Sequence, residues 1–191
     1  MTPAFPDALA LAPWAGLSQA ERQAVLGLQI DEAQLEFAGT IERAIDKLAD
    51  GSVDAQGLAI FAAGRVVGYL SLLRQGRCPA WAPAEAAVVT AMRIDRRLQG
   101  QGLGSRALLA AQSWVHDHWP ACRALALQVD AANIRGIKAY RRAGFEFVGQ
   151  AEPGRIGPVR CMVKPIGPDG AAREPPALAS CHPMPARAPG H

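Results

Sequence analysis

A glycine-rich turn between a β-rich segment and a helical segment carries the residues of this 191-residue chain best suited to chemistry. The turn is Gln99–Gly104; it follows the β-rich run Ala86–Ile94 and opens the apolar, helix-like segment Leu103–His118. A helix begins with about four backbone N–H groups that lack partners within the helix, and its dipole adds positive charge there. Glycines let a phosphate approach such a backbone closely. The order of strand, glycine turn and helix therefore predicts an anion site.

The spacing of the glycines separates this turn from two other phosphate-binding motifs. A Walker loop requires a Gly-Lys dipeptide, and the chain contains none. A Rossmann fingerprint has the form G-x-G-x-x-G, but here the last glycine falls one residue early and Ser105 takes its place. Gln99, Gly102 and Gly104 instead fill the pattern Q/R-x-x-G-x-G/A. At this point the chain resembles the GNAT superfamily of acyl-CoA-dependent N-acyltransferases.

A second segment matches the same superfamily farther along the chain. Asn133–Phe145 fills the pattern N-x-x-A-x-x-x-Y-x-x-x-G-F, with Gly136 in place of the usual alanine. This is a small-for-small change at the start of a helix. The resemblance is specific over Ile94–Arg106 and Asn133–Phe145, and in architecture it extends over roughly Leu9–Lys164.

The resemblance implies a co-substrate and a set of residues that bind it. The co-substrate is acetyl-CoA, whose pyrophosphate is expected on backbone N–H groups of the glycine turn and the helix start. The strand ending at Ile94 is expected to pair with the pantetheine arm, and an N–H near Met92 to stabilise the oxyanion formed at the thioester carbon. Asn133 is expected to contact the pantetheine or adenosine portion. The implied cofactor-binding residues are Met92, Ile94, Gln99, Gly100, Gln101, Gly102, Leu103, Gly104, Ser105, Arg106 and Asn133.

Tyr140 is the catalytic residue that the resemblance implies, as the acid that protonates the departing CoA thiolate. Its helical spacing from Ile137 also suits a core aromatic, and the two roles are compatible. An amine acceptor must lose a proton as well, because an aliphatic amine with a pKa of about 10.4 is mostly protonated at neutral pH. A base, or a water relay to one, has to take that proton. No motif selects this base, and the acidic candidates are Glu32, Glu36, Glu85, Asp95 and Asp130.

The elements that must position these residues alternate between β-rich and helical segments. Strands are predicted at Leu9–Trp14, Gly57–Ala63, Arg65–Leu73, Ala86–Ile94, Ala124–Val129, Phe145–Val148 and Val159–Val163. Helices are predicted from the capping box at Ser18 to about Gln29, from a cap at Asp31 to Leu48, and over Leu103–His118 and Ile134–Ala143. With the resemblance, these elements predict an α/β, GNAT-like fold. It would have a mixed, mostly antiparallel, twisted sheet, helices on both faces and splayed central strands.

The end of the chain differs in composition from the rest. Prolines are frequent in Pro165–His191, and no apolar periodicity continues there. Such a segment cannot bury enough apolar surface to offset its ordering entropy. We therefore predict an N-acetyltransferase domain over residues 1–164 and a disordered, Pro-rich tail over residues 165–191. The alternative, which assigns the tail a function, is that it docks a partner.

Composition and charge argue against several classes of protein. A formal net charge of +3, from 20 basic and 17 acidic residues, is weak evidence for a nucleic-acid-binding face. No two of the four cysteines form a CxxC pair, so no metal site is predicted. We find neither a signal peptide nor an apolar run of about 20 residues. A cytoplasmic protein with free thiols and no membrane contact is expected; a homodimer stays open.

Together these features predict direct transfer of an acetyl group from acetyl-CoA to an amine in a ternary complex. A small-molecule amine or a polyamine is favoured as acceptor, because Gln29–Leu48 resembles the first helices of such enzymes and carries acidic residues that would attract a cation. Protein N-termini, lysines and amino-sugar antibiotics stay open as acceptors. A non-catalytic acyl-CoA-binding or regulatory module and a nucleic-acid-binding protein are the alternatives from other classes. Tyr140 argues against the first, and the scattered basic residues argue against the second.

Overall fold

One mixed β-sheet organises the chain. The computed structural model describes residues 9–30, 35, 39–151 and 157–167. Within these residues seven strands pair in the order β1-β2-β3-β4-β5-β7-β6. Every neighbouring pair is antiparallel except β4 and β5, which are parallel. The strands are β1 Ala10–Pro13, β2 Ala55–Ala62, β3 Arg65–Leu73, β4 Ala86–Ile94, β5 Ala124–Asp130, β6 Glu146–Ala151 and β7 Val159–Pro165.

Four helices are described beside the sheet, and three of them begin at side-chain caps. They are α1 Gln19–Leu26, α2 Ile41–Asp46, α3 Leu103–His118 and α4 Ile134–Arg142. Ser18 and Glu21 form the predicted capping box of α1. The predicted helix from Asp31 to Leu48 was wrong in its bounds, because α2 begins at Ile41, where the Thr40 hydroxyl caps it, and ends at Asp46. The predicted extension of α1 to Gln29 was wrong, because the helix ends at Leu26 with Gly27 as its C-cap. None of the described helices is long and apolar enough to span a bilayer.

The helices pack on both faces of the sheet, as predicted. On β2 and β3, successive side chains point to opposite faces. Tyr69 belongs to the cluster beneath α1 and α2, whereas Leu70 belongs to the main core beneath α3. We call these the α1/α2 face and the α3/α4 face. The tail was predicted to begin at Pro165, but this boundary was wrong: β7 extends to Pro165, and Ile166 is buried in the main core. The predicted cap at Asp31 and the rest of the predicted tail, from residue 168 onward, lie outside the described residues.

The hairpin predicted around Ala63-Gly64 is confirmed. Strands β2 and β3 pair antiparallel over nearly their full length. Ala63 and Gly64 have φ angles of 48° and 72°, the positive values that tight two-residue hairpin turns require. Glycine adopts such angles without strain, whereas alanine does so rarely.

The central parallel pair, β4 and β5, separates halfway along its length, which confirms the predicted splay. The pairing covers Ala86–Val89 of β4 and Ala124–Leu127 of β5 and then stops. Beyond this point β4 pairs only with β3, and a β-bulge interrupts that ladder: Tyr69 pairs with Arg93 but Ser71 pairs with Thr90. Two residues of β4 therefore stand opposite one residue of β3. One of them, Ala91, has a φ of 50°, so the bulge bends β4 away from β5.

Gly68 keeps β3 close to β4 where their ladder resumes after the bulge. It pairs with Ile94. A Cβ at this position would lie 2.4 Å from the carbonyl oxygen of Arg93 and 2.9 Å from the Cδ1 atom of Ile94. The first contact is with backbone, so a rotamer change cannot relieve it.

Gly68→Ala should therefore lower the free energy of unfolding by about 1–3 kcal/mol, the usual cost of overpacking, as measured by urea denaturation. Gly76→Ala is the matched control: no atom lies within 4 Å of its added Cβ, and its effect should stay within about 0.5 kcal/mol. A Gly68→Ala protein as stable as wild type would show that the β3–β4 spacing adjusts freely.

Candidate active site

A cleft of about 440 Å³ opens between the separated ends of β4 and β5. Its walls are the ends of these two strands, the glycine turn with the first turn of α3, and one side of α4. Two segments that are distant in the sequence thus meet at one opening. The predicted site residues that line the cleft are Met92, Ile94, Gln99, Gly100, Gly102, Leu103, Gly104, Ser105, Asn133 and Tyr140. Gln101 and Arg106 are not among the residues that line it.

The glycine turn presents backbone donors to the cleft. Gly100 and Gly102 have φ angles of 83° and 75°, and no atom lies within 4 Å of a Cβ built on either of them. Gly102 is the N-cap of α3. No described residue accepts a hydrogen bond from the backbone N–H groups of Gly100–Ser105; the next N–H, of Arg106, donates to the Gly102 carbonyl at 3.2 Å. An uncrowded row of such donors at a helix start fits a phosphate group. The backbone of Arg106 gives no support to its predicted contact.

A buried carboxylate, Asp95, fixes the approach to the glycine turn. Asp95 is 2% exposed, and it accepts hydrogen bonds from the backbone N–H and the guanidinium of Arg97, at 2.6–2.9 Å. These hydrogen bonds hold the pKa of Asp95 below its usual range. The next residue, Arg96, donates its N–H to the carbonyl of Gln29 at 2.7 Å, which ties the turn to the segment after α1. Asp95 therefore has a structural role here.

The other acidic candidates for the proton-accepting base differ in their relation to the cleft. Asp130, at the end of β5, lines it. Glu85 is exposed and lies just before the start of β4, away from the residues of β4 that line the cleft. Glu32 and Glu36 lie outside the described residues. Among the described candidates, Asp130 alone faces the opening.

Tyr140 lies partly in the core and partly in the cleft. Its ring packs against Phe145, with ring centroids 6.3 Å apart, and it contacts the main core together with Ile137. It also lines the cleft. No described residue forms a hydrogen bond with its hydroxyl, and burial raises the pKa of Tyr140 to about 12. At neutral pH the phenol is therefore protonated and able to donate.

One hydrogen bond sets α4 against the first turn of α3, and a second caps the start of α4. The Ser105 hydroxyl, in the first turn of α3, donates to the carbonyl of Ala139 in α4 at 2.9 Å. At the start of α4, the Asn133 side chain accepts from the N–H of Gly136 at 2.8 Å, so Asn133 is an N-cap as well as a cleft residue. A Cβ at position 136 would lie 2.7 Å from the Asn133 side chain. Glycine at this position leaves room for the cap.

Sequence reasoning missed several polar residues of the cleft. Arg93 is 5% exposed and donates from Nε to the carbonyl of Ala91 at 3.3 Å, and burial lowers its pKa. No pattern marked it in advance. Three cations of α4 line the cleft as well, and their i, i+3, i+7 spacing was a usable signal. They are Arg135, Lys138 and Arg142.

No group of three or more His, Cys, Asp or Glu side chains in the described part of the chain is placed to hold a metal ion. A metal-free reaction stays a prediction. The described cysteines, Cys78, Cys122 and Cys161, form no disulfide. His118 stacks on Trp114, with ring centroids 4.2 Å apart, so this histidine packs on its own helix.

The family model of the acetyltransferase (GNAT) family matches residues 27–145, which is more than half of the chain. This chain belongs to the GNAT family. The matched range includes the glycine turn and the Asn133–Phe145 segment, and it confirms the resemblance inferred from them. At the level of the family, it also confirms the predicted enzyme class, an acetyl-CoA-dependent acyltransferase.

Known relatives of this GNAT protein include acetyltransferases of small amines. It is 36% identical over 59 residues to spermine/spermidine N(1)-acetyltransferase of Bacillus subtilis, and the match covers 31% of this chain and 38% of that enzyme. The chain thus matches well under half the length of this curated relative. The similar solved structures cover more of this chain, but their sequences are less identical to it.

Two solved structures illustrate the shared fold. AAC(6')-Ib in complex with Parmomycin and acetyl-CoA is 15% identical, with a TM-score of 0.66, over 83% of this chain and 93% of that one. Spermidine N-acetyltransferase from Vibrio cholerae, in complex with CoA and spermine, is 15% identical, with a TM-score of 0.62, over 84% and 97%. At these identities the likeness shows the fold, and it confirms the predicted GNAT-like architecture.

The Asp95 anchor gives a pH-dependent stability prediction. The pKa of Asp95 is lower in the folded protein than in the unfolded chain. The ionised Asp95 therefore stabilises the fold fully at pH values above the ordinary Asp pKa of about 3.9, and this stabilisation is lost as the pH falls through the folded-state pKa. Asp95→Ala should lower the free energy of unfolding by about 1.5–3 kcal/mol at pH 7, with a deficit that shrinks below pH of about 4. Urea denaturation across a pH series measures it. The exposed Asp117 offers the control, Asp117→Ala, and a deficit that does not change with pH would contradict the assignment.

Proposed function

We propose that this GNAT protein transfers the acetyl group of acetyl-CoA directly to an amine in a ternary complex. The observation that carries the proposal is the cleft, where a donor-rich glycine turn and the protonated phenol of Tyr140 line one opening between splayed strands. Membership of the family supports the reaction class. The presence of acetyl-CoA or CoA in structures of the same fold supports the co-substrate.

The residues of the glycine turn would hold the pyrophosphate of the co-substrate. The N–H groups of Gly100–Ser105, including that of Gln101, have no acceptor among the described residues. Gln99 reinforces the turn, since its side-chain amide donates to the Ile94 carbonyl at 3.0 Å. Hydrogen bonds from the N–H groups of the turn to an ionised phosphate would be charge-assisted, and such bonds are about twice as strong as neutral ones. Asn133 would contact the same ligand from the start of α4.

The unpaired edge of β4 would bind the extended arm of the co-substrate. Thr90–Ile94 faces the gap left by β5, and an extended chain with amide groups can join such an edge by strand-like hydrogen bonds. The bulge frees backbone at Ala91 and Met92 from the β3 register. A backbone N–H at this point would stabilise the negative charge that develops on the carbonyl oxygen as the amine attacks.

Tyr140 and Asp130 would move the two protons that the reaction requires. The amine nitrogen forms a bond to the acetyl carbon, the carbon–sulfur bond breaks, and Tyr140 donates its phenolic proton to the departing sulfur. Its raised pKa keeps that proton in place at neutral pH. Asp130, directly or through water, would take the proton that the amine loses. Solvent then restores the Tyr140 phenol.

A small amine or polyamine is the acceptor that we propose. The curated relative is named for spermine and spermidine, and one structure of the same fold contains spermine. In this chain, Asp130 lines the cleft, and α2 carries the exposed acids Glu42 and Asp46, which would attract a cation. We propose that the protein is cytoplasmic, in keeping with the described cysteines, which form no disulfide. Homodimerisation stays a prediction that sedimentation would test.

The experiment that tests the function is a panel of amines assayed by thiol release from acetyl-CoA. The panel should include spermidine, an aminoglycoside and a peptide with a free N-terminus. We expect turnover with at least one small amine. CoA binding without release across the panel would favour a non-catalytic module instead, and calorimetry with CoA distinguishes the two outcomes.

Gly104→Glu provides the matched inactive variant for this assay. Gly102 is less suitable because its φ of 75° strains any side chain, whereas the nearest atom to a Cβ at Gly104 is Met92 Cε at 3.8 Å. A carboxylate in the anion site should weaken CoA binding at least about tenfold. Gly76→Glu, in open space, is the control. Unchanged CoA affinity in Gly104→Glu would remove the turn from the site.

Tyr140→Phe tests the proton donor. The change keeps the ring that packs against Phe145 and deletes only the hydroxyl. General acid catalysis contributes about 10²–10⁴-fold, so kcat should fall toward the lower end of that range, because a CoA thiolate leaves fairly readily. The KM for acetyl-CoA should change little, since the lost interaction acts in the transition state.

Asp130→Asn is the companion variant of this test. Loss of the base should lower kcat/KM for the amine while CoA affinity stays at the wild-type value. If Tyr140→Phe keeps the wild-type kcat where chemistry limits the rate, Tyr140 is a packing residue and water protonates the leaving group.

A further inference from the structure

A stripe of three cations runs along the cleft side of α4. Arg135, Lys138 and Arg142 have the spacing i, i+3, i+7, which at 100° per residue places them within an arc of about 60°. All three line the cleft, and all three are exposed. None of them forms an ion pair with a described residue. We call these three residues the α4 stripe.

The α4 stripe lies beside the glycine turn. The hydrogen bond from Ser105 to the carbonyl of Ala139 joins the first turn of α3 to the part of α4 that follows Lys138. Ile137 and Tyr140 pack against the main core, so α4 and its stripe are on the α3/α4 face of the sheet. A ligand phosphate held by the turn therefore has cations on the neighbouring wall.

The charges of the cleft are unevenly distributed between the two faces. Its described lining contains four cationic side chains and a single carboxylate, Asp130. On β5, Leu127 and Val129 point into the core beneath α3, so Asp130 points to the α1/α2 face. Arg93, the cation outside the stripe, pairs with Tyr69 across the sheet and lies buried on that same face. The three exposed cations are thus all on the side of the glycine turn.

The glycine turn and the α4 stripe suit different phosphates. Backbone N–H groups at a helix start fit a pyrophosphate, such as the one that CoA and 3′-dephospho-CoA share. They give no discrimination between CoA and its 3′-dephospho form. A phosphate monoester has about two negative charges and three acceptor oxygens, and arginine and lysine side chains are the groups that bind it best.

We propose that Arg135, Lys138 and Arg142 form the subsite for the 3′-phosphate of CoA and make this enzyme selective for CoA over 3′-dephospho-CoA. The inference rests on the proposed function, since it assumes that the cleft binds CoA. The stripe would also keep a protonated amine away from the cofactor end of the cleft, because like charges repel. The acceptor is thereby directed toward the carboxylate of Asp130.

Calorimetric titration with CoA and with 3′-dephospho-CoA tests the inference. The wild-type protein should bind CoA at least about tenfold more tightly, the discrimination expected of charge-assisted contacts. That preference should shrink as salt is raised from 0.05 to 0.5 M, roughly, because exposed charges are screened. In the triple variant Arg135→Ala, Lys138→Ala, Arg142→Ala, the affinity for CoA should fall to that for 3′-dephospho-CoA, which should itself be unchanged.

Arg141→Ala is the matched control, because Arg141 is an exposed cation of the same helix that does not line the cleft. It should keep the wild-type preference. Equal binding of both ligands by the wild type would overturn the inference, and so would a triple variant that loses affinity for both ligands to the same extent. Neither result would affect the proposed function. Failure of the wild type to bind either ligand would overturn the proposed function and this inference with it.

Discussion

The whole site depends on the limited pairing between β4 and β5. These two strands share a ladder only over Ala86–Val89 and Ala124–Leu127. If the ladder continued, no cleft would exist and the edge of β4 would be satisfied by β5. The bulge at Ala91 enforces the separation from the other side, because it turns β4 while Gly68 keeps β3 within contact of Arg93. The cleft is thus a region where the sheet leaves its own hydrogen-bonding groups unpaired.

Charge in this protein is divided between structure and ligand binding. The guanidinium of Arg97 forms a salt bridge with the buried Asp95, which stabilises the segment that leads into the glycine turn. The three cations of the α4 stripe have no such partner among the described residues and face the cleft. A net charge of +3 for the whole chain hides this division. Local pairing, which a sum over the sequence cannot reveal, decides which cations are available to a phosphate.

The sequence predicted the elements and the two motif segments because short-range patterns determine both. Alternating apolar residues, caps and the Ala63-Gly64 turn determine the strands and helices locally, and the glycine spacing indicated the anion site that we propose. Short-range patterns could not choose among the acidic candidates for the proposed base, and they did not mark Arg93. Asp95 and Asp130 are the same residue type, and only the tertiary structure shows that one is buried against Arg97 and the other faces the cleft. Burial and the direction in which a strand residue points are long-range properties.

The hydrogen bond from Ser105 to Ala139 makes one mechanical unit of two segments that are 34 residues apart. The first turn of α3 cannot shift toward a bound phosphate without carrying the carbonyl of Ala139, and hence the neighbouring Tyr140, or breaking this bond. The two motifs are separate in the sequence, but a displacement of one changes the position of the other. A chimera that took its glycine turn from one relative and its Asn133–Phe145 segment from another would have to recreate this contact before either segment could work.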